Sequence, residues 1–297
     1  MNNVMKQTFY KKRAAFEQQL AARDKRFEMP EGVLIQKDLP YANDSDAAHR
    51  FDLYRPQHSE GKQLPVIINV HGGGLILGDK TFNRYFCANL CKQGFLVCSI
   101  EYRLVPDCLF FDQCRDVFQA MSFLETALPS YGGNPEQIYA VGDSSGACLL
   151  TYCIAMQNNP NIARAAQVTP ASLPVRALGL ISGMFYTNRP DSIGLFLPKF
   201  LYGKDYKKSA FAPYINPEHK DIVTALPPAL LVTSHNDNLH HYTIHFTQAL
   251  SRENRPHKLI DYPKDARLTH AFSVFEPFYK ESLEVVEALA DFFLTYS

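Results

Sequence analysis

One stretch of the chain, Tyr139-Ala140-Val141-Gly142-Asp143-Ser144-Ser145-Gly146-Ala147-Cys148-Leu149-Leu150, joins two apolar runs through the pentapeptide G-x-S-x-G. On a sharp strand-to-helix turn this pattern lifts a serine hydroxyl out of the backbone, which is what a nucleophile needs. Three fixed positions of this kind arise by chance roughly 0.04 times in a chain of this composition, so the pentapeptide alone proves little. A second signal lies upstream, where His71-Gly72-Gly73-Gly74 follows the apolar run Pro65-Val66-Ile67-Ile68-Asn69-Val70. That tetrapeptide is expected only about 0.001 times by chance. Glycines after a buried strand leave backbone N–H groups that no side chain crowds, as a developing oxyanion requires.

A serine hydroxyl is a weak nucleophile at neutral pH and needs a base, itself oriented by an acid. On a strand–turn–helix scaffold the acid and then the histidine follow the serine in the chain. Ala229-Leu230-Leu231-Val232-Thr233-Ser234-His235-Asn236-Asp237 is a buried strand running into a polar loop, which makes Asp237 the acid. His270, in a loop ahead of the last helix, is the base by order and position. Asp261 and Asp265 compete with Asp237, but both lie on or after the next strand, where a surface ion pair suits them better. His235, His240, His241 and His245 cluster in sequence, and the last two are four apart, as helical metal ligands are. Without H-E-x-x-H or an obvious third ligand, no metal is expected. His71 is expected to brace the glycine loop rather than to move protons.

Positioning these groups falls to alternating strands and helices. Strand-like runs are 63–70, 95–102, 137–141, 178–181, 229–233 and 257–262, and helix-like runs are 82–93, 112–127, 146–157, 240–253 and 279–295. Several strands are continuous apolar runs, as when both faces of a sheet are covered. The fold class is therefore α/β, a mostly parallel central sheet flanked by helices, with antiparallel edge strands at 33–38 and 49–54. Two regions break the alternation. Residues 1–28 pattern as an amphipathic helix with Phe9, Ala14 and Phe16 among charges. Residues 184–226 are rich in proline and aromatics. Segments of this kind sit over the carboxyl ends of the strands, which gives an N-terminal cap segment at 1–40 and a catalytic domain at 41–297 with a cap insertion at about 184–226.

Bulk properties narrow the partners. With 30 basic and 30 acidic residues the formal net charge is zero, so nothing draws nucleic acid or an anionic membrane. The first 26 residues are charged throughout, and no run of about 18 apolar residues could span a bilayer. Membrane insertion is not expected. The seven cysteines form no C-x-x-C pair and mostly fall in apolar runs, where thiols act as small hydrophobes. This composition fits a reducing cytoplasm. Neither cofactor nor metal is implied.

From about residue 50 onward the chain resembles the bacterial hormone-sensitive-lipase-like branch of the α/β-hydrolases. The matching residues are His71-Gly72-Gly73-Gly74 with Gly78-Asp79; Glu101-Tyr102-Arg103-Leu104-Val105-Pro106-Asp107; Gly142-Asp143-Ser144-Ser145-Gly146; Asp237-Asn238-Leu239; and His270-Ala271-Phe272. The resemblance implies a carboxylesterase for small acyl esters, with Ser144 as nucleophile, Asp237 and His270 as its partners, and the N–H groups of Gly73, Gly74 and Ser145 as the oxyanion hole. Leu75 stands where an aromatic often follows the glycines, Ala147 where a second glycine is frequent, and Asn238 where proline is frequent. All three bear on pocket shape or loop stiffness. Leu75, Phe185, Tyr186, Phe196 and Phe200 are expected to line a closed apolar pocket that favours short acyl chains. An amidase, peptidase or deacetylase would use the same triad, and a ligand-binding receptor on the same fold is the reading from another class. An exposed edge strand or the last helix leaves room for a homodimer.

Overall fold

The computed structural model describes residues 3–297. After the N-terminal helix α1 (Asn3–Asp24) the chain enters an eight-stranded sheet made of β1 (Val33–Pro40), β2 (Arg50–Pro56), β3 (Leu64–Val70), β4 (Leu96–Ile100), β5 (Gly133–Asp143), β6 (Ala177–Ile181), β7 (Ala229–Ser234) and β8 (His257–Tyr262). Its spatial order is β1-β2-β4-β3-β5-β6-β7-β8. β2 pairs antiparallel with β1 and β4, and all other pairs are parallel. The expected edge strands are thus in place at one end of a parallel sheet.

Alternation along β3 explains the layers. Val66, Ile68 and Val70 face one apolar core and Ile67 the other, because successive side chains of a strand point to opposite faces. The first core is closed by α3 (Phe110–Ala127), α4 (Ser145–Asn158), α5 (Pro160–Ala166), α8 (Lys220–Ala225) and α9 (His240–Arg252). The second is closed by α2 (Arg84–Lys92), α10 (Phe272–Phe275) and α11 (Lys280–Thr295). The short helices α6 (Ser192–Phe196) and α7 (Pro198–Leu201) complete the set. Helix α4 is buried from Ser145 to Met156, which is why its sequence is apolar on every side. On the other face Phe293 of α11 stacks on Tyr139 of β5 at 4.9 Å. Burying such a ring contributes about 1.5–3 kcal/mol.

Two expected boundaries shift. Residues 33–40, placed from sequence in the 1–40 segment with 33–38 also read as an edge strand, form β1 of the sheet, so the part outside the sheet ends before Val33. Helix α1 covers Asn3–Asp24 rather than 1–28, residues 1 and 2 lying outside the described range. Its inward seam runs Phe9, Arg13, Phe16, Leu20, Arg23, a 4-3-4-3 spacing that keeps one face inward. Ala14, expected on that face, is exposed. Phe16 meets Phe82 and Phe275 edge-on, and Phe9 meets Phe200 at 5.3 Å. The 184–226 insertion also divides. Ile222 and Val223 of α8 are fully buried and the helix packs on α4, so this end belongs to the body, whereas Leu195 and Phe196 of α6 stand 70% and 65% exposed. Among the described residues no helix is long and apolar enough to cross a membrane.

Candidate active site

Strand β5 ends at Asp143 and α4 begins at Ser145, leaving Ser144 alone at the turn with φ 50° and ψ −116°. A side chain bears that backbone only where the surroundings enforce it. Here the Ser144 N–H donates to the Ile181 carbonyl at 2.8 Å, and its own carbonyl accepts the Met184 N–H at 2.9 Å. A Cβ on Gly146 would lie 2.1 Å from the Val70 carbonyl oxygen, so only glycine lets α4 start this close to β3.

His270 faces the hydroxyl. Its Nε2 is 2.8 Å from Ser144 Oγ and its Nδ1 is 2.7 Å from Asp237 Oδ1. Asp237 is 5% exposed and also accepts the Leu239 N–H at 2.7 Å. Burial alone would raise its pKa. The His270 hydrogen bond and charge, the Ser182 hydroxyl and the Leu239 N–H override burial and hold the carboxyl below the ordinary range. Ser182, at the end of β6, is a connection the sequence reading missed. Its hydroxyl serves Asp237 and also accepts the Ala271 N–H at 3.0 Å, joining the loop of the acid to that of the histidine. A polar residue just past an apolar strand end was the available signal.

The glycine loop is fastened to the same turn. Gly73 has φ 118°, and a Cβ there would sit 1.9 Å from the Leu77 carbonyl oxygen. The Gly72 N–H donates to Asp143 Oδ1 at 3.0 Å and the Leu75 N–H to Ser145 Oγ at 3.1 Å. Burial pushes the Asp143 carboxyl up despite the Asn83 amide and Gly72 N–H it accepts. Among the described residues no protein acceptor takes the N–H of Gly73, Gly74 or Ser145. His71 is fully buried and stacked on Tyr102. Its Nδ1 is 2.7 Å from the Gly72 carbonyl and its Nε2 3.1 Å from Glu101, two acceptors that call for a proton on each nitrogen. Burial works against that charge, but the Glu101 carboxylate and the Gly72 carbonyl prevail and raise the pKa.

A cavity of about 620 Å³ opens beside the turn. Its walls come from α1 (Thr8, Phe9, Lys12), the glycine loop (Gly74, Ile76), Met184 and the first part of the insertion (Ser192, Ile193, Phe196, Leu197, Phe200). Two side chains expected to line it, Phe196 and Phe200, do so. Leu75, Phe185 and Tyr186 do not, since all three are fully buried. Phe185 stacks on Phe246 at 4.2 Å, Tyr186 packs edge-on against Tyr242 and donates to Glu218, and Leu75 turns into the core at φ 67°. A second cavity of about 490 Å³, lined by residues such as Thr187, Arg189 and Lys207, does not touch the glycine loop, whereas the first meets it at Gly74 and Ile76; Ser144, Asp237 and His270 wall neither.

The histidine cluster resolves differently from its sequence. His241 and His245, four apart on α9, are not the pair brought together. His235 and His240 meet at Asp261, whose Oδ2 is 3.5 Å and 3.0 Å from their Nε2 atoms. These histidine–carboxylate contacts bracket the Asp237 loop from both ends. Asp265 is paired with Arg267.

A profile described as the alpha/beta hydrolase fold matches residues 67–273, well over half of the chain and inclusive of the glycine loop, the serine turn, Asp237 and His270. Among curated proteins, a probable isoprenylcysteine alpha-carbonyl methylesterase of Arabidopsis thaliana is 31% identical over 212 residues, 68% of this chain and 44% of that protein. The human arylacetamide deacetylase-like 3 is 30% identical over 147 residues, 46% of this chain and 36% of that protein. The chain spans less than half the length of the first of these curated relatives. Among solved structures, an inhibited esterase B from Lactobacillus rhamnosis superposes with a TM-score of 0.91 at 23% identity, covering 99% of this chain and 97% of that one. An esterase of Pyrobaculum calidifontis gives 0.74 at 22% identity, covering 97% and 94%. The matched profile, the sheet order and the serine turn at its switch point agree: the chain belongs to the alpha/beta hydrolase fold family.

Proposed function

We propose that the protein is a carboxylesterase that hydrolyses small, short-chain acyl esters through an acyl-enzyme. The observation that carries this reading is the unbroken line from Ser144 Oγ to His270 Nε2 at 2.8 Å and from His270 Nδ1 to Asp237 Oδ1 at 2.7 Å. The methylesterase and deacetylase names among the relatives support an acyl-transfer chemistry of the same kind.

In this mechanism His270 takes the Ser144 proton as Oγ bonds to the ester carbonyl carbon. Asp237, held as a carboxylate by its hydrogen bonds, stabilises the imidazolium. The N–H groups of Gly73, Gly74 and Ser145 receive the oxyanion, and losing one such donor typically costs about 3 kcal/mol of the barrier. The tetrahedral intermediate collapses as the ester C–O bond breaks, and His270 gives its proton to the departing alkoxide. Water then attacks the acyl-serine by the same route, releasing the carboxylic acid and restoring the hydroxyl.

Substrate size follows from the cavity, which α1 and α6–α7 wall with apolar side chains beside Met184 and Gly74. These segments act together as the cap, and Phe9, Ile76, Phe196 and Phe200 hold the acyl chain. The seven cysteines are all free thiols, which fits a reducing cytoplasm. The test is turnover of p-nitrophenyl esters from acetate to dodecanoate by the native protein and by Ser144→Ala. Rates should peak at short chains and vanish in the variant. Retained turnover in Ser144→Ala, or rates climbing steadily to dodecanoate, would overturn the assignment or its chain-length preference respectively.

A further inference from the structure

We propose that Arg13, on α1, is a positioning residue that clamps the oxyanion loop, so that seating the N-terminal helix completes the catalytic geometry. The inference rests on the ester-hydrolase reading above.

The side chain of Arg13 is 19% exposed, and all three of its nitrogens are engaged. Nε donates to the Ile76 carbonyl at 2.7 Å. One terminal nitrogen donates to the carbonyls of Leu104 and Val105, at 3.1 and 2.7 Å, and the other to Asp107 Oδ2 at 2.9 Å. A docking ion pair would need only Asp107. Instead most of the guanidinium is spent on main-chain carbonyls of the two segments that form the oxyanion loop and its support. A planar fork of donors suits several fixed carbonyls at once, which a lysine ammonium does not.

The loop has reason to need such a restraint. Gly73, Gly74 and Leu75 run consecutively at positive φ, and Leu75 has a side chain to strain there. From the body of the fold the loop is held at the Gly72 and Leu75 N–H groups, by Asp143 and Ser145, and at the Leu75 carbonyl, which accepts the Val105 N–H at 3.0 Å and the Gln113 amide at 3.0 Å. The next carbonyl, that of Ile76, goes to Arg13 of α1. The helix that walls the cavity with Phe9 therefore also fixes the segment bearing the Gly73 and Gly74 N–H groups. The helix is also seated by Phe16 against Phe82 and Phe275, contacts that leave the Arg13 hydrogen bonds in place.

The experiment compares Arg13→Ala, Arg13→Lys, Phe16→Ala and Ser144→Ala with the native protein. It uses p-nitrophenyl butyrate as substrate and an alkyl trifluoromethyl ketone, whose hemiketal oxyanion mimics the transition state, as inhibitor. Arg13→Ala is expected to lower kcat by about 10- to 100-fold, the range for a misplaced but present donor set, with KM within about twofold. Affinity for the ketone should fall in parallel, Arg13→Lys should regain part of both, and Phe16→Ala should lower Tm while keeping kcat within about twofold. The clamp is refuted if Arg13→Ala keeps native kcat, raises KM alone, or is matched in kcat and ketone affinity by Phe16→Ala. Loss of turnover in Ser144→Ala alongside an unaffected Arg13→Ala would remove the clamp and leave the esterase reading standing. Absence of ester turnover in the native protein would remove that reading itself.

Discussion

The floor of the site and its roof are built by different means. At the floor, Ser144 and Asp237 follow the ends of β5 and β7 and His270 stands in the loop before α10, all three largely buried and tied by hydrogen bonds of 2.7–2.8 Å to one another, with Ser182 and Leu239 behind them. At the roof, α1 and α6–α7 meet through aromatic edges such as Phe9 on Phe200 and leave Leu195 and Phe196 largely exposed. Directional bonds on rigid strands fix a reacting geometry, whereas apolar contacts between short helices fix only a volume. Substitutions in the floor should therefore abolish chemistry at nearly constant stability, and substitutions in the roof should re-rank substrates.

The largest effect expected from this contrast is at the floor. Asp237→Asn keeps the shape of the acid but loses its charge and tautomer control, and kcat should fall about 10⁴-fold. Equal loss of folding stability and activity would place Asp237 with the scaffold instead. Gly73→Ala comes next. Its φ of 118° and the 1.9 Å approach to Leu77 exclude a methyl group, so the loop must move. A loss of about 10²–10³ in kcat is expected, the cost of a lost oxyanion donor. Normal kcat in Gly73→Ala would show that the loop is not part of the reacting geometry.

The boundary between floor and roof is also the boundary of what could be read from sequence. G-x-S-x-G and H-G-G-G announce themselves because a turn this tight admits few residues, and Asp237 and His270 follow from chain order on a known scaffold. Pocket lining has no such local rule. Phe185 and Phe196 are alike in sequence, both aromatic and both in one proline-rich stretch, yet one stacks on Phe246 in the core and the other walls the cavity. That outcome depends on where α9 packs, which no spacing within 184–226 encodes. Ile76 and Met184, which line the cavity beside the glycine loop and the serine turn, went unnoticed for the same reason. Arg13 and Arg23 escaped as inward residues of α1 because charge suggested an outward face; Arg13 reaches the Ile76 and Val105 carbonyls and Asp107, and Arg23 the Phe82 carbonyl, all distant in sequence.

Phe185 and Phe200 therefore make a paired experiment. Phe185→Ala empties a buried ring site and should cost about 3–5 kcal/mol of stability. Phe200→Ala opens the cavity wall, and should instead raise the relative rate on longer acyl chains several-fold with a smaller loss of stability. Reversed outcomes would mean that the roof, not the core, holds Phe185.

A gentler effect comes from His71, through pH. Its folded-state pKa is raised, so the protonated ring favours the native state. That contribution is fully present below the ordinary histidine value of about 6.5 and is lost as pH rises through the raised folded value. The stability difference between native protein and His71→Gln in urea unfolding should thus be largest near pH 6 and shrink above neutrality. A difference that grew with pH would mean that the ring is neutral when folded.

Asp261 should give the smallest effect, and it sharpens the contrast most. Like Asp237 it lies at the end of a strand, pairs with histidine, and is near the same loop. Its partners His235 and His240 are 54% and 25% exposed, whereas His270 is bonded to a carboxylate that is itself buried. Polar contacts this open to solvent contribute about 0–1 kcal/mol even when both partners are charged, because water and ions screen them. Asp261→Asn should therefore lower stability by less than about 1 kcal/mol and kcat by no more than about threefold, the latter through a looser Asp237 loop. A collapse of kcat comparable to that of Asp237→Asn would mean that position in the loop, and not the bond to His270, decides which carboxylate matters. What separates the two acids is which histidine each one faces, and only His270 also reaches Ser144.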